Sequence, residues 1–363
     1  MLTGPHGPLT TGPSSSLTYE TTVAVVGLGG WGVEHLKAWQ STLGARVVAV
    51  CDQDRERARA VAAEYGIERH YRSTDELASA GDVDVASVAT TEATRLSTTA
   101  PLIDAHIHVL VEKPIALDLV SARRLVQAAR QAGVILMPGH ILRFDARFAT
   151  IVDRIRKGSF GVVRSVYARR LIPRGRYFQY QRAHPALMAS LHDFDLARWI
   201  FGSDPLEVTA YSVERAAPGP ADLVWYVLRF PEGALAVVET AFVLPDGAGT
   251  WLESETEVIS TEGVARVQLP GDLLRIWGPS GHEEPETTLS SGALGWSSGA
   301  LKDEIAYFLG CVRQGTPPTR VVPEDAVQVL KIALAAVEAL ESGQPVDLAN
   351  EATAPAGEVW SDQ

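Results

Sequence analysis

The stretch Val23-Ala24-Val25-Val26-Gly27-Leu28-Gly29-Gly30-Trp31-Gly32 decides the fold. A short apolar run ends in G-x-G-x-x-G, and a helical pattern follows at residues 33–39. Gly27 permits a tight turn, Gly29 lets the backbone approach a pyrophosphate, and Gly32 lets the next helix pack close to the strand. Free N–H groups at that helix start face the phosphates, so the whole run from Gly27 through Leu28, Gly30 and Trp31 is a candidate cofactor contact. Twenty residues beyond Gly32 a second apolar run ends at Asp52, where a carboxylate accepts from adenosine ribose hydroxyls. The same charge repels a 2′-phosphate and favours NAD over NADP, although Arg55 and Arg57 follow closely.

Working outward, further apolar runs lie at 83–89, 108–111 and 134–137, after those at 23–26 and 47–50, with helical spacing at 54–65 and 117–132. The runs are continuous instead of alternating, which predicts strands buried on both faces of a parallel sheet in a doubly wound α/β domain. After residue 139 the pattern changes. Helices are predicted at 148–157 and 186–201, and strands at 162–170, 208–213, 223–230, 234–243, 257–260 and 264–269. Pro231-Glu232-Gly233 and Thr261-Glu262-Gly263 read as hairpin turns. Residues 280–299 read as a surface loop, and 301–312 and 323–342 as closing helices. The expected organisation is a flexible tail at 1–20, a dinucleotide-binding domain at 21–140, an α+β domain with an open, largely antiparallel mixed sheet at 141–348, and a tail at 349–363.

Composition narrows the function. With 363 residues, 46% of them hydrophobic, the chain is long enough for two cores. A net charge of −12 argues against binding nucleic acid or an anionic membrane, because phosphate contacts need clustered Lys and Arg. Cys51 and Cys311 lie far apart without metal-ligand spacing, so neither a disulfide framework nor a metal is expected. No apolar run reaches the roughly 18 residues of a membrane span, and the first 20 residues lack a signal-peptide pattern. A cytoplasmic protein acting on a small molecule is the expectation.

The fourth apolar run ends in Val111-Glu112-Lys113-Pro114, which places a lysine at the carboxyl end of a parallel strand, where open α/β sheets bind ligands. With that segment in view, the chain resembles the glucose-fructose oxidoreductase, inositol dehydrogenase and rhizopine catabolism (Gfo/Idh/MocA) oxidoreductases from about residue 21 to 348. The resemblance is carried by GLGGWG at 27–32, Asp52, TTEATR at 90–95, HVLVEKP at 108–114, GHILRF at 139–144 and LHDFDLARW at 191–199. It implies a Rossmann domain followed by an α/β domain whose open sheet mediates a homodimer or homotetramer. It implies an NAD(P)-dependent dehydrogenase acting on a secondary alcohol of a sugar, cyclitol or related polyol. Thr90, Thr91, Glu112 and Lys113 match cofactor-contacting positions, Lys113 and His192 match catalytic ones, and Arg143 falls in the segment framing the substrate.

The sequence also departs from the family. Where members commonly carry D-x-G-x-H, this chain has Met188-Ala189-Ser190-Leu191-His192, so the usual Asp is Met188. A Met cannot accept a proton. Three readings stay open: His192 acts alone as the base, His184 supplies the missing polar contact, or the site has kept binding and lost redox catalysis. The rivals to a dehydrogenase are therefore a sensor that binds NAD and a sugar, and an enzyme that uses NAD transiently to cleave a sugar linkage. Two further questions are open in the sequence. Asp195, three residues after His192, is a candidate partner for that ring, and Arg164, Arg169, Arg170, Arg174 and Arg176 either recognise an anionic substrate group or solvate a strand edge.

Overall fold

The computed structural model describes residues 20–180, 183–213, 222–269, 276–278, 281–283 and 298–349. All but the end residues of the expected tails, at 1–20 and 349–363, and most of the loop predicted at 280–299 lie outside these residues.

Six strands form the first sheet: β1 (Thr21–Val26), β2 (Ala45–Cys51), β3 (Arg69–Tyr71), β4 (Val85–Val88), β5 (His108–Glu112) and β6 (Leu136–Gly139). All pairings are parallel, in the order β3-β2-β1-β4-β5-β6. The central strands are buried along nearly their whole length, as continuous apolar runs require when helices cover both faces. The helices between them are α1 (Gly30–Gln40), α2 (Arg55–Tyr65), α3 (Thr74–Ala80), α4 (Arg95–Asp104) and α5 (Leu119–Ala132). Local chemistry sets their ends. Asp54 and Asp118 cap α2 and α5 by accepting from N–H groups of the first turn, and Gly66 and Gly133 close them in the left-handed conformation. Strand order reverses between β1 and β4, and the carboxyl ends at such a point are where open α/β sheets bind ligands.

Helix α6 (Ala146–Arg156) leads into β7 (Val163–Pro173). A single π-helical turn, Ala186–Ser190, then feeds α7 (Leu191–Phe201). Next come β8 (Glu207–Ser212), β9 (Leu223–Arg229), β10 (Leu235–Leu244), β11 (Glu253–Ser260), β12 (Val264–Leu269) and a short pair, β13 (Ile276–Gly278) and β14 (Gly281–Glu283). Helices α8 (Ala300–Gln314) and α9 (Pro323–Ser342) and strand β15 (Val346–Asp347) follow. The second sheet runs β12-β11-β7-β10-β9-β8-β15, with β7 and β10 parallel and every other neighbour antiparallel. Alternating burial along β9 and β11 marks a sheet with one covered face. Helices α7 and α9 pack on it, while Tyr211 and Leu235 stand exposed on strands of the same sheet.

Both hairpins form at the expected turns. Two expectations need correction. The helix predicted as one piece over 186–201 begins with the π turn, and the strand predicted at 134–137 starts pairing at Leu136, because Gly133 turns the chain out of α5 first. Buried apolar side chains form one cluster spanning both sheets and a small second one of Ile172, Tyr177, Ala189, Phe242 and Leu252.

Candidate active site

The glycine turn has two kinds of glycine. Gly27 sits at φ +85°, and a Cβ there would meet Ala89 and Thr90 backbone at 2.8 Å; a Cβ on Gly32 would lie 1.7 Å from the Gly27 carbonyl oxygen. These two are required by the turn itself. A Cβ on Gly29 or Gly30 would meet nothing within 4 Å, and no side chain caps the start of α1. Uncapped N–H groups at the start of an 11-residue helix, with open space before them, suit a pyrophosphate. Asp52, buried at the end of β2, accepts from Leu28 N at 2.8 Å and from Asp54 N at 2.9 Å. A carboxylate offers about four lone-pair positions, so acceptor capacity remains for ribose hydroxyls. Arg57 lies 3.6 Å from Asp52 and 3.5 Å from Asp54, which ties its charge to two acids. The residues present therefore fit a dinucleotide.

Across the switch point, Glu112 is the hub. Its Oε1 accepts from the Trp31 indole at 2.7 Å and lies 3.0 Å from His35 Nε2, while Oε2 accepts from Lys113 N at 3.0 Å. His35 in turn lies 2.8 Å from Ser87 Oγ through Nδ1. Burial alone would raise the Glu112 carboxyl, but His35, the Arg95 guanidinium and the Trp31 indole together hold it down at about 2. Arg95 fixes both neighbouring loops by donating to the Thr90 carbonyl at 3.1 Å and to the Pro114 carbonyl. The hydroxyl of Thr90 is 3.2 Å from Thr98 Oγ1, and Thr91 is exposed.

Lys113 reaches from the end of β5 to the second domain, where Nζ donates to the Met188 carbonyl at 2.8 Å. Burial, followed by the charges of Arg95 and Arg170 against the pull of Glu112, lowers its ammonium to about 8. Met188 lies in the π turn, one turn ahead of His192. Burial, then Lys113, Arg170 and His140, drives His192 well below the ordinary histidine value. At neutral pH its ring is an uncharged acceptor beside a cation.

The remaining expectations sort by position. Asp195 is not a partner of His192: it accepts from Arg143 Nε at 2.9 Å and Nη2 at 2.6 Å, and His140 Nδ1 stands 3.3 Å away. Arg143 also donates from Nη1 to Asp325 at 2.7 Å and to the Arg320 carbonyl at 2.9 Å. Only 3% exposed, Arg143 braces the junction of α7, α9 and the 141–144 turn. Nδ1 of His184 accepts from Ala186 N at 3.1 Å, and burial lowers the ring to about 4. In the arginine cluster, Arg170 pairs with Asp193 at 2.5 and 3.0 Å, Arg169 with Glu253, and Arg176 stacks over Trp251. Three of the five arginines thus have partners within the protein. His35, Arg95 and Arg170 are the site residues that sequence reasoning missed or misassigned; Arg95 closes the TTEATR segment and was the one within reach.

Among the described residues, no helix is long and apolar enough to cross a membrane. Comparison with known proteins agrees with the geometry. Residues 21–140 match the model of the GFO/IDH/MocA oxidoreductase family, NAD-binding Rossmann fold, and residues 148–266 match the GFO/IDH/MocA C-terminal domain. The chain is 30% identical to 1,5-anhydro-D-fructose reductase of Ensifer adhaerens, over 84% of this chain and 92% of that one. It is 28% identical to D-apiose dehydrogenase of Paraburkholderia graminis, over 92% and 91%. Scyllo-inositol dehydrogenase of Lactobacillus casei with bound NAD(H) and scyllo-inositol shares its fold, with a TM-score of 0.79 at 22% identity, covering 91% of this chain and all of the other. Two matched domains in the right order, covering well over half its length, show that this chain belongs to the Gfo/Idh/MocA family of NAD-binding oxidoreductases.

Proposed function

We propose that the protein oxidises, reversibly, a secondary alcohol of a sugar, cyclitol or related polyol, with Lys113 and His192 as the catalytic residues. The observation that carries this reading is the contact between Lys113 Nζ and the Met188 carbonyl, which holds an ammonium one helical turn from an uncharged imidazole. The sugar and cyclitol ligands named for the relatives support the substrate class.

The glycine turn and Asp52 would hold NAD, which would supply the acceptor for the hydride of the carbinol carbon. Lys113 Nζ donates to the substrate oxygen and offsets the negative charge that develops on it. The His192 imidazole accepts the hydroxyl proton, which its depressed basicity lets it pass on afterwards. Glu112, held ionised, orients the Lys113 backbone and does not exchange a proton at neutral pH. The lysine is anchored by the main-chain carbonyl of Met188, a group that does not titrate.

The test is to incubate the protein with NAD and a panel of polyols while following reduced nicotinamide. Reduction with at least one polyol supports the reading. NAD binding without reduction by any of them favours the sensor, and product without net reduction favours the lyase or hydrolase. We also place self-association on the second sheet, to be checked by sedimentation.

A further inference from the structure

Met188 is 5% exposed, yet it belongs to neither apolar cluster. Among the described residues the other buried apolar side chains left out of both are Ala241 and Cys311, so Met188 is the one long side chain in that position. Its neighbours divide the core between them: Leu187 and Leu191 pack into the large cluster and Ala189 into the small one. The Met188 thioether is thus buried beside both clusters without belonging to either. What it has beside it is the Lys113 ammonium on its own carbonyl, and His192 four residues on, a spacing that shares one helix face.

Two polar side chains near it in the chain have partners of their own. His184 Nδ1 accepts from Ala186 N, and the Ser190 hydroxyl is 2.7 Å from Thr240 Oγ1. A substrate hydroxyl placed against Met188 would exchange water for a sulfur that accepts hydrogen bonds weakly.

We propose that Met188 is a specificity residue, and that the substrate presents to it an apolar group, a deoxy carbon or a methyl, beside the carbinol that faces Lys113 and His192. This rests on the dehydrogenase reading and narrows its substrate class. An apolar wall discriminates by the group it buries, and one missing or added carbon-sized group in such a pocket changes kcat/KM by about 10- to 200-fold.

The experiment pairs each parent polyol with its mono-deoxy and mono-O-methyl derivatives, among them myo-inositol with deoxyinositols and D-glucose with 2-deoxy-D-glucose. Reduced nicotinamide is followed and kcat/KM ratios are compared. The expected result is at least one derivative about tenfold or more above its parent, a ratio kept in Met188→Leu and inverted in Met188→Asp. Parents outrunning all their derivatives in the wild-type protein would overturn the proposal while leaving the dehydrogenase reading intact, and this holds whether or not Met188→Asp folds. A folded Met188→Asp with an unchanged ratio overturns it too. Absence of reduction with every parent and derivative, despite NAD binding by calorimetry, overturns both together.

Discussion

The Trp31 indole donates to Glu112 at 2.7 Å, so the phosphate-binding turn is tied to the strand end that carries Lys113. His35 stands behind the same carboxylate oxygen at 3.0 Å, and its ring meets Trp31 edge-on with centroids 5.9 Å apart. Trp31→Phe keeps the ring and loses the donor. Its expected effect is a rise of about fivefold in the Kd for NAD, equivalent to about 1 kcal/mol, read by calorimetry.

The two kinds of glycine separate binding from folding. Gly29→Ala places its methyl in open space at φ −67°, so thermal unfolding should stay within about 0.5 kcal/mol of wild type while NAD affinity falls at least about tenfold. Gly32→Ala drives a methyl into the Gly27 carbonyl and should destabilise the fold itself, by about 1–3 kcal/mol or more.

A pH profile tests the division of labour proposed for Lys113 and His192. Lys113, lowered to about 8, must be charged to stabilise the developing oxyanion, and His192, depressed well below 6.5, must be neutral to accept a proton. For oxidation, kcat/KM should rise through an acid limb well below pH 6.5 and fall through an alkaline limb near 8. Lys113→Arg should move the alkaline limb out of the accessible range. An alkaline limb near 8 that survives the substitution assigns it to another group.

Glu304 on α8 is fully buried, and neither carboxyl oxygen has a hydrogen-bond partner among the described residues. Burial, then the Glu112 and Asp195 carboxylates, pushes it well above its ordinary value of 4.5. The folded chain thus keeps a proton that the unfolded chain releases, and stability is lost as pH rises past that ordinary value. Glu304→Leu should be more stable than wild type, by a margin that widens above pH 4.5 by up to about 1.4 kcal/mol per unit. Denaturant midpoints across pH measure it.

Arg143 and Asp195 form a buried pair with two short bonds, and Arg143→Ala leaves the carboxylate unpaired. A loss of about 3–5 kcal/mol in urea unfolding is expected. Normal stability in that variant would show that the pair does not hold the junction together.

Much of this was legible in the chain because the physics is local. Continuous apolar runs announce strands buried on two faces, and Asp54, Asp118, Gly66 and Gly133 mark helix ends by what their side chains, or lack of them, allow. Strand β3 escaped notice since its three residues, Arg69-His70-Tyr71, lie at the sheet edge and carry no apolar pattern. The π turn was invisible because Ala186-Leu187-Met188-Ala189-Ser190 suits either helical hydrogen-bond spacing. The roles of Arg143 and Asp195 depend on a pairing 52 residues apart, which no spacing rule encodes. That position 188 carries Met was plain in the sequence, whereas the bond from Lys113 to its main-chain carbonyl could emerge only once β5 and the turn before α7 met.

The central claim is tested most directly by isotope transfer. A polyol that the protein oxidises is deuterated at its carbinol carbons and incubated with NAD, and the nicotinamide product is weighed by mass spectrometry. The account predicts one deuterium on the nicotinamide ring with wild-type protein, and transfer slowed by about 10²- to 10⁴-fold in Lys113→Met, which still binds NAD by calorimetry. Deuterium transfer by Lys113→Met at the wild-type rate would contradict it.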